Sequence, residues 1–223
     1  MKIFFPAALS AALLICAACS SFQPTKERIT VDLRGRVFEI GSAEAQFDKY
    51  FAAAGMNKIE ITATYYPDDD VVCLRFRHNL TNYYQFWSSN NRGSFVEALT
   101  AYKQAYELRD LPEKNMKTKR AYGTVRGYLL WESTKLSMKG TSHPNIDIGY
   151  QFAKKMPYFT LAMSDAPNET ATTKESMGKN SAVTMRFTRS QADTLAALFD
   201  PDYLLNASAG PASGTYPDID TDN

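Results

Sequence analysis

The chain has 223 residues, with 25 Lys and Arg against 24 Asp and Glu. That balance argues against a surface that reads nucleic-acid phosphates, which needs a pronounced basic patch. The length is ample for one domain with a sizeable core.

In chain order, Lys2 precedes an apolar run from Ile3 to Ala18, broken by Pro6 and Ser10. Polar residues (Ser20, Ser21, Gln23) follow at once, so the run is too short to span a bilayer. It has the three-part plan of a secretion signal over residues 1–18, with small residues at the cut. The residues Cys16-Ala17-Ala18-Cys19 resemble the lipobox of bacterial lipoproteins, with Cys16 where that family usually has Leu. The resemblance implies that Cys19 is lipidated, with palmitate among its acyl chains, and becomes the first residue of the mature protein. Each buried methylene would contribute about 0.8 kcal/mol of membrane affinity. Ser20, rather than Asp, implies the outer membrane over the inner one. Cleavage would remove Lys2 and Cys16, leaving acids and bases in balance. Cys73 would then have no disulfide partner, and it reads as a small buried apolar residue. Residues 19–27 read as the tether, and 28–205 as a single α+β domain.

Within that domain the pattern is mostly antiparallel β. Ile29, Val31 and Leu33 alternate, as do Ile59, Ile61, Ala63 and Tyr65. Val72, Leu74 and Phe76 share a face opposite Cys73, Arg75 and Arg77, which predicts a half-buried strand. Pro67-Asp68-Asp69-Asp70 reads as the intervening turn, with carboxylates in solvent rather than on a cation. Asn79–Asn82 predicts a second turn, leading to a strand over Tyr83–Trp87. Four later strands are expected around Val125–Trp131, Ile146–Phe152, Phe159–Met163 and Val183–Phe187. Helices are expected over Ser42–Ala54, over Ser94–Leu108 behind a Ser94/Glu97 capping box, and after Thr188/Gln191, a second capping box. Asp200-Pro201 ends the last of these. Pro112–Arg120 reads as a solvated basic linker, and 206–223 as a disordered acidic tail.

Each half thus reads as about four strands followed by one helix, which would make two antiparallel sheets in one domain. That order is similar to Whirly-like and Pur-alpha-like proteins, which double such a unit. The similarity is one of topology over about 28–200, and it implies single-stranded nucleic acid as ligand. Export and the neutral charge oppose that ligand.

Tyr83 and Trp87, with Arg75 and Arg77 close by in sequence, form the candidate binding surface, since aromatic faces beside guanidinium groups stack on ligands. No catalytic residues, metal ligands or cofactor are assigned. His78 and His143 belong to no metal-binding spacing, and there is no nucleophile elbow or phosphate loop. The expectation is a non-enzymatic envelope lipoprotein that binds a protein or other envelope component. A small-ligand or carbohydrate binder and an enzyme of unrecognised type are the alternatives.

Overall fold

Alternating strands account for most of the body of the protein. The computed structural model describes residues 35–48, 55–113, 116–134, 138–153, 155–171 and 178–213. The signal segment, Cys19, the tether, the Ile29–Leu33 alternation and residues 214–223 lie outside the described residues. Strands β1 (Phe38–Asp48), β2 (Met56–Tyr66), β3 (Val71–His78) and β4 (Thr81–Ser88) form an antiparallel meander. Helix α1 (Ser89–Glu107) and a 3-10 helix (Met116–Arg120) come next. Then follow β5 (Gly123–Arg126), β6 (Tyr128–Ser133), β7 (Met138–Ser142), β8 (Asn145–Ala153), β9 (Met156–Met163) and β10 (Val183–Phe187). Helices α2 (Arg189–Ala197) and α3 (Pro201–Ser208) are the last elements described.

The two expected sheets are one. All ten described strands share a single antiparallel sheet, in the order β5-β8-β9-β10-β1-β2-β3-β4-β6-β7. The second half has six strand segments rather than four, and β10 pairs with β1 of the first half. The doubled, Whirly-like arrangement is therefore not the fold. Predominantly antiparallel β with a few helices does hold.

Curvature comes from one hairpin. β5 and β6 are a single line of chain interrupted at Gly127, and β7 and β8 another, interrupted at His143-Pro144. The register that pairs β6 with β7 continues unchanged into the pairing of β5 with β8. Between them the Gly127 N–H donates to the Pro144 carbonyl at 2.9 Å. Because β6 also pairs with β4, and β8 with β9, this hairpin belongs to both ends of the sheet. The sheet is thereby drawn into a half-barrel.

The inner face is apolar. Phe47, Ile61, Leu74, Trp87, Phe159 and Phe187 are fully buried there, together with Phe95 of α1 and Phe199 beyond α2. The Phe95 ring meets Phe159 at 5.4 Å and Phe199 at 5.2 Å, both edge-on, a favoured aromatic geometry. A second, smaller cluster (Val37, Tyr66, Val71, Cys73, Phe86, Leu130) lies on the outer face. It explains the run Val71-Val72-Cys73-Leu74, since a strand covered on both sides loses its alternation. Cys73 is buried as expected, but within this outer cluster. Its thiol pKa is pushed up to about 12 by that burial.

Three local expectations are corrected. Ser42–Ala54 is not a helix, because residues 42–48 belong to β1; residues 49–54 lie outside the described residues. Ala, Glu and Gln favour helix locally, but Ala43, Ala45 and Phe47 also fit a period of two. Ladders to both β2 and β10 decide the matter. Helix α1 starts five residues earlier than Ser94. Ser88 is its N-cap, accepting from the Asn91 N–H, while Ser94 bonds back to the Asn90 carbonyl from inside the helix. The tail is ordered beyond 206: α3 runs to Ser208, and the Ser213 N–H donates to the Val37 carbonyl. Asp200-Pro201 both ends α2 and starts α3, with the Asp200 side chain as cap and Pro in the first turn. The Thr188/Gln191 capping box forms as expected.

The acidic turn is also a fixed point. Asp70 has φ of +48°, and its carboxylate accepts from Tyr65 Oη at 3.2 Å and from Arg92 at 2.6 Å. The buried Arg92 guanidinium donates further to the carbonyls of Asp70 and Trp87. It thus ties the β2–β3 turn to the first turn of α1. Arg92→Ala should lower unfolding stability by about 2–3 kcal/mol in urea titration, because two carbonyls lose their donor. Asp70→Asn should cost under about 1 kcal/mol, since that carboxylate is half exposed. In a second check, iodoacetamide at pH 8 should leave Cys73 unmodified in the native protein. In denaturant it should modify Cys73 fully, read by mass spectrometry of its peptide.

Candidate binding groove

The sequence-chosen surface is divided between two faces of the sheet. Tyr83 and Trp87 point inward, 1% and 0% exposed, in the main core. Trp87 Nε1 donates to the buried Gln85 carboxamide, and the Tyr83 ring stacks on Phe76 at 5.1 Å. Arg75 and Arg77 are exposed on the outer face, where Arg75 lies 5.8 Å from the Tyr84 ring. The alternation of Tyr83-Tyr84-Gln85-Phe86-Trp87 was legible, but not which phase faced inward. Packing of Tyr83 on Phe76 and of Trp87 on Phe95 and Phe199 sets that phase, and Gln85 is carried inward between them. Trp87→Ala should act as a core truncation, lowering stability by about 3–5 kcal/mol in denaturant titration. A loss of under 1 kcal/mol would contradict its burial.

The concavity lies elsewhere, where α1 passes the outer edge of β5. A groove of about 750 Å³ is lined by Ser94, Glu97, Ala98 and Ala101 on the helix. These positions recur at the three- and four-residue spacing of a single helical face. The opposite wall is formed by Arg120–Thr124, Asn145, Asp147 and Ser164.

That wall is held by a small polar network. Thr124 Oγ1 donates to Asp147 Oδ1 at 2.6 Å, and Arg120 reaches Asp147 Oδ2 at 3.3 Å. Arg120 stands there because the 3-10 helix lies directly on β8 at Gly149. Any Cβ at that glycine would collide with the backbone of Thr118 and Lys119. The Pro112–Arg120 segment is therefore not a free linker at its C-terminal end. Below the wall, Tyr122 packs on Tyr102, Tyr150 and Phe159, anchoring the groove to the core.

Neither histidine lines this groove. His78 stacks on Phe47 at 5.2 Å, with its Nε2 2.8 Å from the Asn79 amide. Burial lowers its pKa, favouring the neutral ring that accepts this bond. His143 lies at the bend of the long hairpin. Its Nδ1 is 2.9 Å from Glu169, and its ring faces Tyr128 at 5.1 Å. Among the described residues no group of three His, Cys, Asp or Glu could hold a metal ion.

Sequence reasoning missed the groove because its residues come from four separated segments. In sequence Glu97 has the spacing of a capping box with Ser94, and Arg120 ends a polar basic run. Two glycines inside strand patterns, Gly127 and Gly149, were the available signal, since such positions mark bends or close backbone approach.

A single curved antiparallel sheet packed on helices, with a groove along one strand edge, thus defines a small predominantly β domain. The chain belongs to a bacterial family described as "Uncharacterised Treponema protein", whose model matches residues 38–206. The match begins with β1 and ends within α3, so it covers the whole half-barrel. No curated protein and no solved structure matches the chain.

Proposed function

We propose that the protein is a lipid-anchored component of the bacterial envelope that binds a partner in the α1–β5 groove and catalyses no reaction. The anchor rests on Cys16-Ala17-Ala18-Cys19, with Cys19 as the lipidated residue and the outer membrane as its site. The groove carries the binding half of the reading. It is concave, rests on rigid strand and helix, and gathers Glu97, Arg120, Thr124, Asn145 and Asp147. The inner face, by contrast, is filled with aromatic and aliphatic side chains. A binding role is favoured over catalysis because the groove holds neither histidine, the residues best suited to proton transfer near neutral pH.

A protein partner is the leading occupant. A small polar ligand such as a carbohydrate is the second reading, favoured by the carboxylate, carboxamide and hydroxyl groups on the β5–β8 wall.

Two measurements test the proposal. Metabolic lipid labelling should fail for Cys19→Ala and persist for Cys16→Ala; labelling unaffected by Cys19→Ala would remove the anchor. The exposed Ala101 can be changed to Trp, filling the groove without touching the core. A specific envelope protein recovered from mild-detergent extracts with the native chain should be lost with Ala101→Trp. Equal recovery with both, or recovery of none, would overturn the groove as the binding site.

A further inference from the structure

The bend at Gly127 splits the long hairpin, and it leaves each arm with one edge that no described strand covers. β7 ends the sheet on one side, and β5 ends it on the other. An open strand edge is a template for any extended chain, so proteins ordinarily cover it. The two edges are treated differently here.

The β7 edge is covered by the chain itself. The Glu169 N–H donates to the Thr141 carbonyl at 2.8 Å, and the Thr141 N–H donates to Asn168 Oδ1 at 3.2 Å. Asn168 in turn sits against Gly140, where a Cβ would collide with its carboxamide. Segment 168–170 thus takes the place of a neighbouring strand.

The β5 edge is not closed in this way. Gly127 bonds to Pro144, and the ladder alternates, so Gly123, Val125 and Gly127 direct their backbone groups to β8. Thr124 and Arg126 direct theirs the other way, toward α1. The Arg126 carbonyl accepts from Asn91 Nδ2 at 3.0 Å, which ties β5 to the first turn of α1. Among the described residues nothing bonds the Thr124 N–H, the Thr124 carbonyl or the Arg126 N–H. Thr124 lines the groove, whose helix wall beyond Ser94 is Glu97 with the small residues Ala98 and Ala101. No described cation pairs with Glu97.

We infer that β5 is an acceptor edge, to which an extended polypeptide segment of a partner adds as a further strand inside the groove. This rests on the groove being the binding site and names the chemistry of its occupant. Main-chain bonds to Thr124 and Arg126 would hold the incoming strand. Ala98 and Ala101 leave room for side chains that face the helix, and a Lys or Arg would meet Glu97. The Asp147 carboxylate, already met by Arg120 and Thr124, does not compete for that cation.

The probe is a displayed library of random twelve-residue peptides, selected on the full-length lipidated protein in detergent micelles. Selected peptides should alternate, favour β-forming residues and carry Lys or Arg. Thr124→Pro removes one outward N–H while leaving the β8 side of the ladder intact, and should weaken their binding at least tenfold. Thr124→Val keeps that N–H and removes the hydroxyl, and should bind at least several-fold more tightly than Thr124→Pro. Glu97→Gln should weaken binding several-fold. If Thr124→Pro fails to fold, amide hydrogen exchange on the native protein decides. The Thr124 and Arg126 amides should exchange quickly in the free protein and be protected by peptide, whereas Thr141 is protected in both states.

Peptides that bind Thr124→Pro as well as native protein, or that leave both amides unprotected, would overturn strand addition. So would a selection that yields no peptide. Ala101→Trp separates this from the broader reading. Loss with Ala101→Trp but not with Thr124→Pro keeps the groove and removes the strand, whereas indifference to Ala101→Trp removes the groove.

Discussion

The bond from the Gly127 N–H to the Pro144 carbonyl is where the molecule's curvature is decided. It keeps two long arms in one register while each arm turns from one neighbour to another: β6 toward β4, and β8 toward β9. Proline at 144 has no N–H to give, but the Pro144 carbonyl is what the pairing requires, so the residue is tolerated within the hairpin. Everything on the inner face follows from that turn. Trp87 and Met163, from opposite sides of the sheet order, come close enough for Gln85 to contact both.

The same bend creates two strand ends with opposite treatment. One is closed by Asn168 and Glu169, the other faces a helix across a groove. Around both, polar side chains do structural work that is invisible to periodicity. Arg92 holds the acidic turn, and Asn180 bonds Ser142, the Ala166 N–H and two carbonyls, locking the segment after β9 over the barrel end. These buried polar groups are satisfied within one network each, the condition under which they add rigidity rather than cost.

Much of the sheet was legible in the sequence. The alternations at 59–65, 72–76, 146–152, 159–163 and 183–187 all lie in strands, and Thr188 with Gln191 forms its capping box. What failed did so where local and distant terms disagree. The segment from Ser42 has helical composition but lies between two strands that outvote it. Ser94 has the chemistry of a cap but sits inside a helix, because Asn91 and Arg92 are polar yet buried, which disguises the first turn. The candidate site was least legible. The outward phase of a strand cannot be told from the inward one when both faces carry aromatics, as around Tyr84 and Phe86. A groove assembled from α1, the 3-10 helix, β5 and β8 has no contiguous signature at all.

The position of β1 has a bearing on how the chain reaches this state. β1 lies between β2 and β10, and its pairing includes the Asp48–Arg186 contact, 138 residues apart in sequence. Tyr203 of α3 caps the bulge in β1 by donating to the Ile40 carbonyl at 2.6 Å, and Ser213 bonds the residues on either side of its start. The first strand described is therefore completed by the last elements described. Loop closure over such distances is slow, and a chain that stops before Val183 has no β10 to pair with that edge. The sheet cannot close segment by segment as the chain is made. It stays open until β10, α2 and α3 arrive, and until then the unpaired edge of β1 is a template on which another chain could pair.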